Sequence, residues 1–208
     1  HAGIWRCLDS PDAVTPAGKR PGLQGPIDDA FARPFLCVRG TSEPWNLAVG
    51  DWAGANLKRF ADEWRRHYRG DARKKSDSEV TDADIANANL ILWGDPASNA
   101  VLGKIAEKLP IRWNKESITV GERQYNSAEH TPILIYPNPL NPRRYVVLNS
   151  GFTFREYDYL NNARQVAKLP DWAVIDLNQP RTPRGPGGIA DAGFFDEKWQ
   201  WKPAPAKK

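Results

Sequence analysis

The stretch Asn89-Leu-Ile-Leu-Trp-Gly-Asp-Pro-Ala-Ser-Asn99 carries three signals in one run. Asn89 to Trp93 is a short apolar segment of the kind that forms a buried strand. Gly94-Asp95-Pro96 closes it with turn residues. Ser98 or Asn99 then caps a helix predicted over 100–109, with Val101, Leu102, Ile105 and Leu109 on one face and Pro110 beyond its end. A buried strand that feeds directly into an amphipathic helix is the building unit of an α/β layered domain.

The same grammar extends in both directions. Upstream, Phe35-Leu-Cys-Val38 reads as a second buried strand, ending in Arg39-Gly40-Thr41-Ser42. Residues 46–69 follow at helical spacing. Val49, Trp52, Ala53, Leu57, Phe60, Trp64 and Tyr68 form an apolar stripe, and Lys58, Asp62, Arg65, Arg66 and Arg69 lie opposite. Gly70 is the expected C-cap. Thr81 with Asp84 signals a short capped helix. Downstream, 117–125 reads as a small hairpin, and 132–136 and 144–148 as strands. Pro137-Asn-Pro-Leu-Asn-Pro142 between them reads as a stiff loop. Asn149-Ser150-Gly151 leads into a helix predicted over 153–166, and Trp172 to Ile175 is the last strand.

Residues 1–34 are rich in turn formers and read as an extended N-terminal arm outside the core. Residues 178–208 read as a Pro/Gly-rich C-terminal tail. The expectation is one α/β domain over 35–177, a three-layer flavodoxin-like or Rossmann-like sandwich. Its sheet is expected to be mostly parallel, with some antiparallel hairpin strands.

Composition narrows the function. The chain has 208 residues, 40% hydrophobic and 26% charged, which is globular and excludes collagen, coiled coil and full disorder. No segment approaches the roughly 20 apolar residues of a membrane span. Lys plus Arg is 29 against 25 Asp plus Glu. The basic residues are scattered as pairs, such as Arg65-Arg66, Lys74-Lys75 and Arg143-Arg144. No basic stripe or nucleic-acid motif is present, so no nucleic-acid partner is expected. Cys7 and Cys37 allow either one disulfide or two buried thiols. The chain begins at His1 and has no Met, which points to a processed form or a fragment. An N-terminal His can ligate copper, but the enzymes that use it are all-β, unlike this pattern.

In α/β sheets, ligands sit beyond the carboxyl ends of the strands. That selects three loops and, in them, Gly40, Thr41, Asp95, Ser98, Asn99, Asn149 and Ser150 as candidate ligand-binding residues. The loop at 94–99 is the most suggestive, because it sets a carboxylate, hydroxyl and amide at a helix N-terminus. The same residues are also ordinary turn and capping chemistry. No dinucleotide or phosphate-loop motif occurs, so no cofactor is expected, and no Cys or His spacing suggests a metal. The Gly-x-Ser-x-Gly elbow is absent. Its nearest imitation is Leu148-Asn-Ser150-Gly-Phe152, and a Ser150/His130/Asp95 triad is the arrangement an enzyme reading needs. Trp45, Trp113, Trp199 and Trp201 fall near predicted element ends, where exposed rings stack on sugars or peptides.

Three strings go further. Lys19-Arg-Pro-Gly-Leu-Gln-Gly-Pro-Ile-Asp-Asp-Ala-Phe31, Asn89 to Asn99, and Ile135-Tyr-Pro-Asn-Pro-Leu-Asn-Pro-Arg-Arg-Tyr-Val-Val-Leu-Asn-Ser-Gly151 resemble the C-terminal region of large secreted bacterial proteins of the prolyl oligopeptidase-like type. The likeness covers roughly residues 3–177. In such proteins an α/β-hydrolase domain carrying the serine triad comes first. The resemblance implies a secreted or periplasmic setting and a non-catalytic accessory domain of a serine hydrolase, partnered by the hydrolase domain of a larger parent chain. The family's serine motif matches no position here, so no catalytic residue carries over. Two alternatives stand beside this: a small hydrolase acting alone through the loops at 40, 95 and 150, and a carbohydrate- or surface-binding module using exposed Trp, with a peptide or sugar as ligand.

Overall fold

The computed structural model describes residues 18–153, 168–180 and 188–202. The first strand, β1 (Phe35–Arg39), leads into the long helix α1 (Leu47–Tyr68) and the three-residue strand β2 (Lys74–Ser76). Helix α2 (Asp82–Asn87) precedes β3 (Asn89–Trp93), and α3 (Ala100–Ile105) follows it. A small subdomain of β4 (Arg112–Trp113), β5 (Ser117–Val120) and β6 (Arg123–Asn126) intervenes. The chain then returns as β7 (His130–Asn138), β8 (Asn141–Leu148), β9 (Trp172–Asp176) and β10 (Gly188–Gly193).

Seven strands form one sheet in the order β10-β9-β7-β8-β3-β1-β2. Pairs β1–β2, β1–β3 and β3–β8 are parallel, whereas β7–β8, β7–β9 and β9–β10 are antiparallel. The chain is therefore α/β around a mixed sheet, with a contiguous parallel half. β4, β5 and β6 form a separate antiparallel sheet, as the spacing at 117–125 anticipates. β3 is buried at all five positions, the pattern of a central strand covered on both faces. β2, by contrast, is a short lysine-bearing edge, the usual protection against strand addition.

The long helix forms where its stripe predicts. Phe60 and Trp64 pack against Phe35, with ring centroids 5.9 and 4.7 Å away. Its left-handed C-cap is Arg69 (φ 60°) rather than Gly70. Thr81 and Asp84 close the expected capping box of α2. The helix read over 100–109 is α-helical only to Ile105 and finishes as a 3-10 turn, Ala106–Lys108.

Three readings change. Pro137 to Pro142 is no stiff loop, because β7 runs to Asn138 and β8 starts at Asn141. β9 pairs β7 only as far as Leu134, so Pro137 lies where the strand has a single neighbour and no ladder bond is lost. The described part of the arm is core: Leu23, Ile27 and Ala30 are buried. Lys19 Nζ, set 2.6 Å from Asp171 Oδ2, ties the arm to the start of β9. The described part of the tail is also structural, since it supplies β10 and buries Phe195 and Trp199. The helix predicted over 153–166 and the residues His1 and Cys7 lie outside the described residues, apart from Thr153. Cys37 is a buried free thiol.

Candidate functional site

The loops after β1, β3 and β8 do meet, and backbone hydrogen bonds explain how. The peptide N–H of Gly40 donates to Trp93 O (3.2 Å), that of Asn149 to Leu92 O (2.9 Å) and that of Ser42 to Ser98 O (3.1 Å). Gly40 is needed for this approach, because a Cβ there would fall 2.4 Å from the Ser98 carbonyl oxygen.

Asp95 is buried and organises the centre. Its Oδ1 accepts the N–H groups of Ala97 (3.1 Å) and Ser98 (2.7 Å), and its Oδ2 accepts that of Trp45 (2.7 Å). Ser98 Oγ accepts from Asp95 N (2.9 Å) and sits 3.2 Å from Asp95 O. Asn99 caps α3 through Oδ1, which accepts from Val101 and Leu102, while its Nδ2 donates to Val38 O and Trp93 O. Thr41 Oγ1 donates to Asp77 Oδ1 (2.7 Å), and Asp77 Oδ2 accepts Ala100 N (2.7 Å). Burial pushes the Asp77 carboxyl up, but the bonds from Ala100, Thr41 and Ser78 outweigh it and hold the group below the usual carboxylate range.

Asn149 occupies the left-handed region at φ 51°, which Asn tolerates better than most residues. Its Oδ1 accepts Gly94 N (2.9 Å), and its Nδ2 donates to Gly94 O (3.0 Å) and faces Thr131 Oγ1 (3.3 Å). Ser150 Oγ donates to Gly151 O (3.0 Å). The seven candidate residues are thus brought together at one end of the sheet. The polar side chains among them bond to the protein itself, chiefly to backbone groups of the same loops.

The triad does not assemble. Ser150 bonds Gly151, Asp95 bonds three peptide N–H groups, and His130 Nδ1 lies 3.0 Å from Asn126 O. None of the three bonds another. Of the four tryptophans named for stacking on sugars or peptides, one is buried and three are half-buried. Trp199 is buried, and Trp201 packs 5.2 Å from Trp172 while its indole N–H donates to Pro110 O. Trp45 and Trp113 are half-buried, and no described Trp is among the exposed large apolar side chains. Among the described residues no group of His, Cys, Asp and Glu is placed to hold a metal ion, and no helix is long and apolar enough to cross a membrane.

Beside the network opens a cleft of about 270 Å³ between the ends of β1 and β3 and the first turns of α1. Gly40 and Ser98 reach it, together with Pro44, Leu47, Ala53 and Leu57. Leu47 is 77% exposed. Periodicity places Leu57 on the buried stripe of α1 but leaves Leu47 off it, and an apolar residue off the stripe at a helix start is the one signal in the sequence that could have marked this cleft. The chain matches no family model, no curated protein and no solved structure.

Proposed function

We propose that this chain is a non-catalytic accessory domain of a secreted serine hydrolase of the prolyl oligopeptidase type, working outside the cytoplasm. In this reading the cleft at the β1, β3 and α1 ends receives an apolar segment of the hydrolase domain or of its peptide substrate. One observation carries the reading. The polar residues at the strand ends are bonded to their own loops, and the open feature beside them is an apolar cleft with an exposed leucine. A reactive centre needs a base within hydrogen-bond reach of a nucleophile, and Ser150 has Gly151 O instead. We further read the architecture as three-layered, with α1 as one outer layer; the ring contacts of Phe60 with Phe35 and Trp93 support that placement.

The test has two arms. The isolated chain should not hydrolyse p-nitrophenyl esters or prolyl-p-nitroanilides, and measurable turnover that Ser150→Ala abolishes would favour the stand-alone hydrolase. The mass of the native polypeptide carrying this sequence should be several times that of the 208-residue chain. In that longer protein, Leu47→Asp should raise KM or loosen the domain contact without unfolding the domain.

A further inference from the structure

The opposite end of the sheet holds a second cleft, of about 340 Å³, lined by Arg20, Gly22, Leu23, Arg33, Arg143 and Arg144 with Pro21, Ala86 and Asn141. Arg33 precedes β1, Ala86 precedes β3, and Arg143 and Arg144 open β8, so the cleft lies at the amino ends of the parallel strands. Four arginines face it, and no carboxylate lines it. Arg20, Arg33 and Arg143 make no side-chain hydrogen bond or ion pair among the described residues. Arg144 makes one bond, from Nε to Ala86 O (3.2 Å). By contrast, four cations outside the cleft, Lys19, Arg73, Lys75 and Arg123, each sit within 3.5 Å of an aspartate.

The cleft is built rather than accidental. Its two walls are the segments around Arg20 and Arg143, and Tyr145 locks them together. The Tyr145 hydroxyl accepts Gly25 N (3.0 Å) and donates to Asp29. Burial, with the Asp29 carboxylate beside it, pushes the phenol up beyond its ordinary range, so it remains a donor. Gly22 has φ +74°, and a Cβ there would fall 2.2 Å from Arg33 Nη2. The Arg33 guanidinium therefore rests on the bare backbone of the Arg20 wall.

Like charges held together without a counter-charge oppose folding, so such a cluster is stable only at a cost that a bound anion removes. Guanidinium forks match phosphate oxygens two at a time. A diphosphate joins two multiply charged phosphate units, so it offsets much of the charge of four arginines. No aromatic ring lines the cleft to stack a base. We propose that this cleft is a binding site for a diphosphate group, which docks across Arg20 and Arg33 on one wall and Arg143 and Arg144 on the other.

Calorimetric titration of the folded chain with inorganic pyrophosphate, orthophosphate and succinate tests this. Pyrophosphate should bind one-to-one and at least tenfold tighter than the other two, with the affinity falling as salt rises. Arg20→Gln and Arg143→Gln should each weaken it about tenfold, the usual worth of one charge-assisted pair. Neither side chain has a partner among the described residues, so both variants should keep the native circular dichroism spectrum. Lys104→Gln, which removes the same charge elsewhere, should leave the affinity unchanged. ADP in place of pyrophosphate separates the sources: equal affinity marks a free diphosphate, and a tenfold gain marks a nucleotide. No saturable binding, equal affinity for orthophosphate, or an equal loss in Lys104→Gln would overturn the proposal.

Discussion

The two ends of the parallel strands treat polar side chains in opposite ways. At the carboxyl ends, Asp95, Asn99 and Asn149 are buried and bonded to backbone groups, so they hold three loops in one shape. At the amino ends, four arginines converge with a single side-chain hydrogen bond between them among the described residues. A buried polar group left without partners costs more than a made bond gains, so the first set is explained by folding alone. The second set is not, and unexplained charge is the better guide to a ligand. The general rule that α/β sheets bind at their carboxyl ends points to the crowded end of this molecule, where the residues are already occupied.

The contrast breaks most visibly at Asp95. Asp95→Ala removes the acceptor of three peptide N–H groups and should destabilise by about 3 kcal/mol or more. That lowers Tm by about 6–12 °C for a chain of this size, read by thermal unfolding. A change below about 2 °C would mean that the network is ornamental and the loop free for another role.

Asn149 sharpens the same end. Asn149→Ala loses the bonds to Gly94 and strains a left-handed backbone, so about 2 kcal/mol should be lost. Asn149→Gly keeps the backbone and loses only the amide, and should recover about half of that deficit. If both variants lose the same amount, the left-handed turn contributes nothing.

Acid offers a milder probe of the bonded carboxylates. Asp84 is held down at about 2, first by its bond with Lys75 and then by the Thr81 amide and hydroxyl. An unfolded carboxyl titrates near about 3.9. Its stabilisation is therefore complete above about pH 4 and disappears as the pH falls towards 2. Asp84→Asn should flatten the stability profile across that window and leave its shape above pH 5 unchanged. A steep acid limb surviving in the variant would assign the loss to other groups, of which Asp77, held down as well, is the first to examine.

Much of this architecture is legible in the sequence. β1, β3 and β9 announce themselves as short apolar runs, α1 through its stripe, and α2 and α3 through Thr81 and Asn99. The hairpin of β5 and β6 is legible too, because each element is specified by its own neighbours. The parts that escape are those whose partners are distant. β2 is three residues of Lys and Ser, with no apolar signal, and forms because β1 offers an edge. β10 is masked by its Gly and Ala content and exists as a strand through β9. Residues 18–31 look like a loose arm until Lys19 meets Asp171 and Tyr145 meets Asp29. The arginine cleft is the extreme case. Arg20, Arg33 and Arg143 are more than ten residues apart in sequence, and a scan for runs of basic residues sees only scatter. Conversely, the residue types that suggest a ligand site at 94–99 are also those that close turns and cap helices, and here the second use accounts for their bonds.

The smallest expected change gives the sharpest division between the two ends. Substitution in a bonded network lowers stability, whereas substitution in a cleft of uncompensated like charge should not. Arg20→Gln with Arg143→Gln removes two cations that have no side-chain partner among the described residues and should leave the stability unchanged or raise it, by up to about 1 kcal/mol at low ionic strength. Salt should erase that gain, because screening relieves the same repulsion in the parent protein. Pyrophosphate should then stabilise the parent protein and leave the double variant's Tm where it was, since a ligand raises stability only in the form that binds it. A double variant that melts well below the parent would place these arginines with Asp95 and Asn149 as structural groups. The difference between the two ends of the sheet would then be one of exposure and not of purpose.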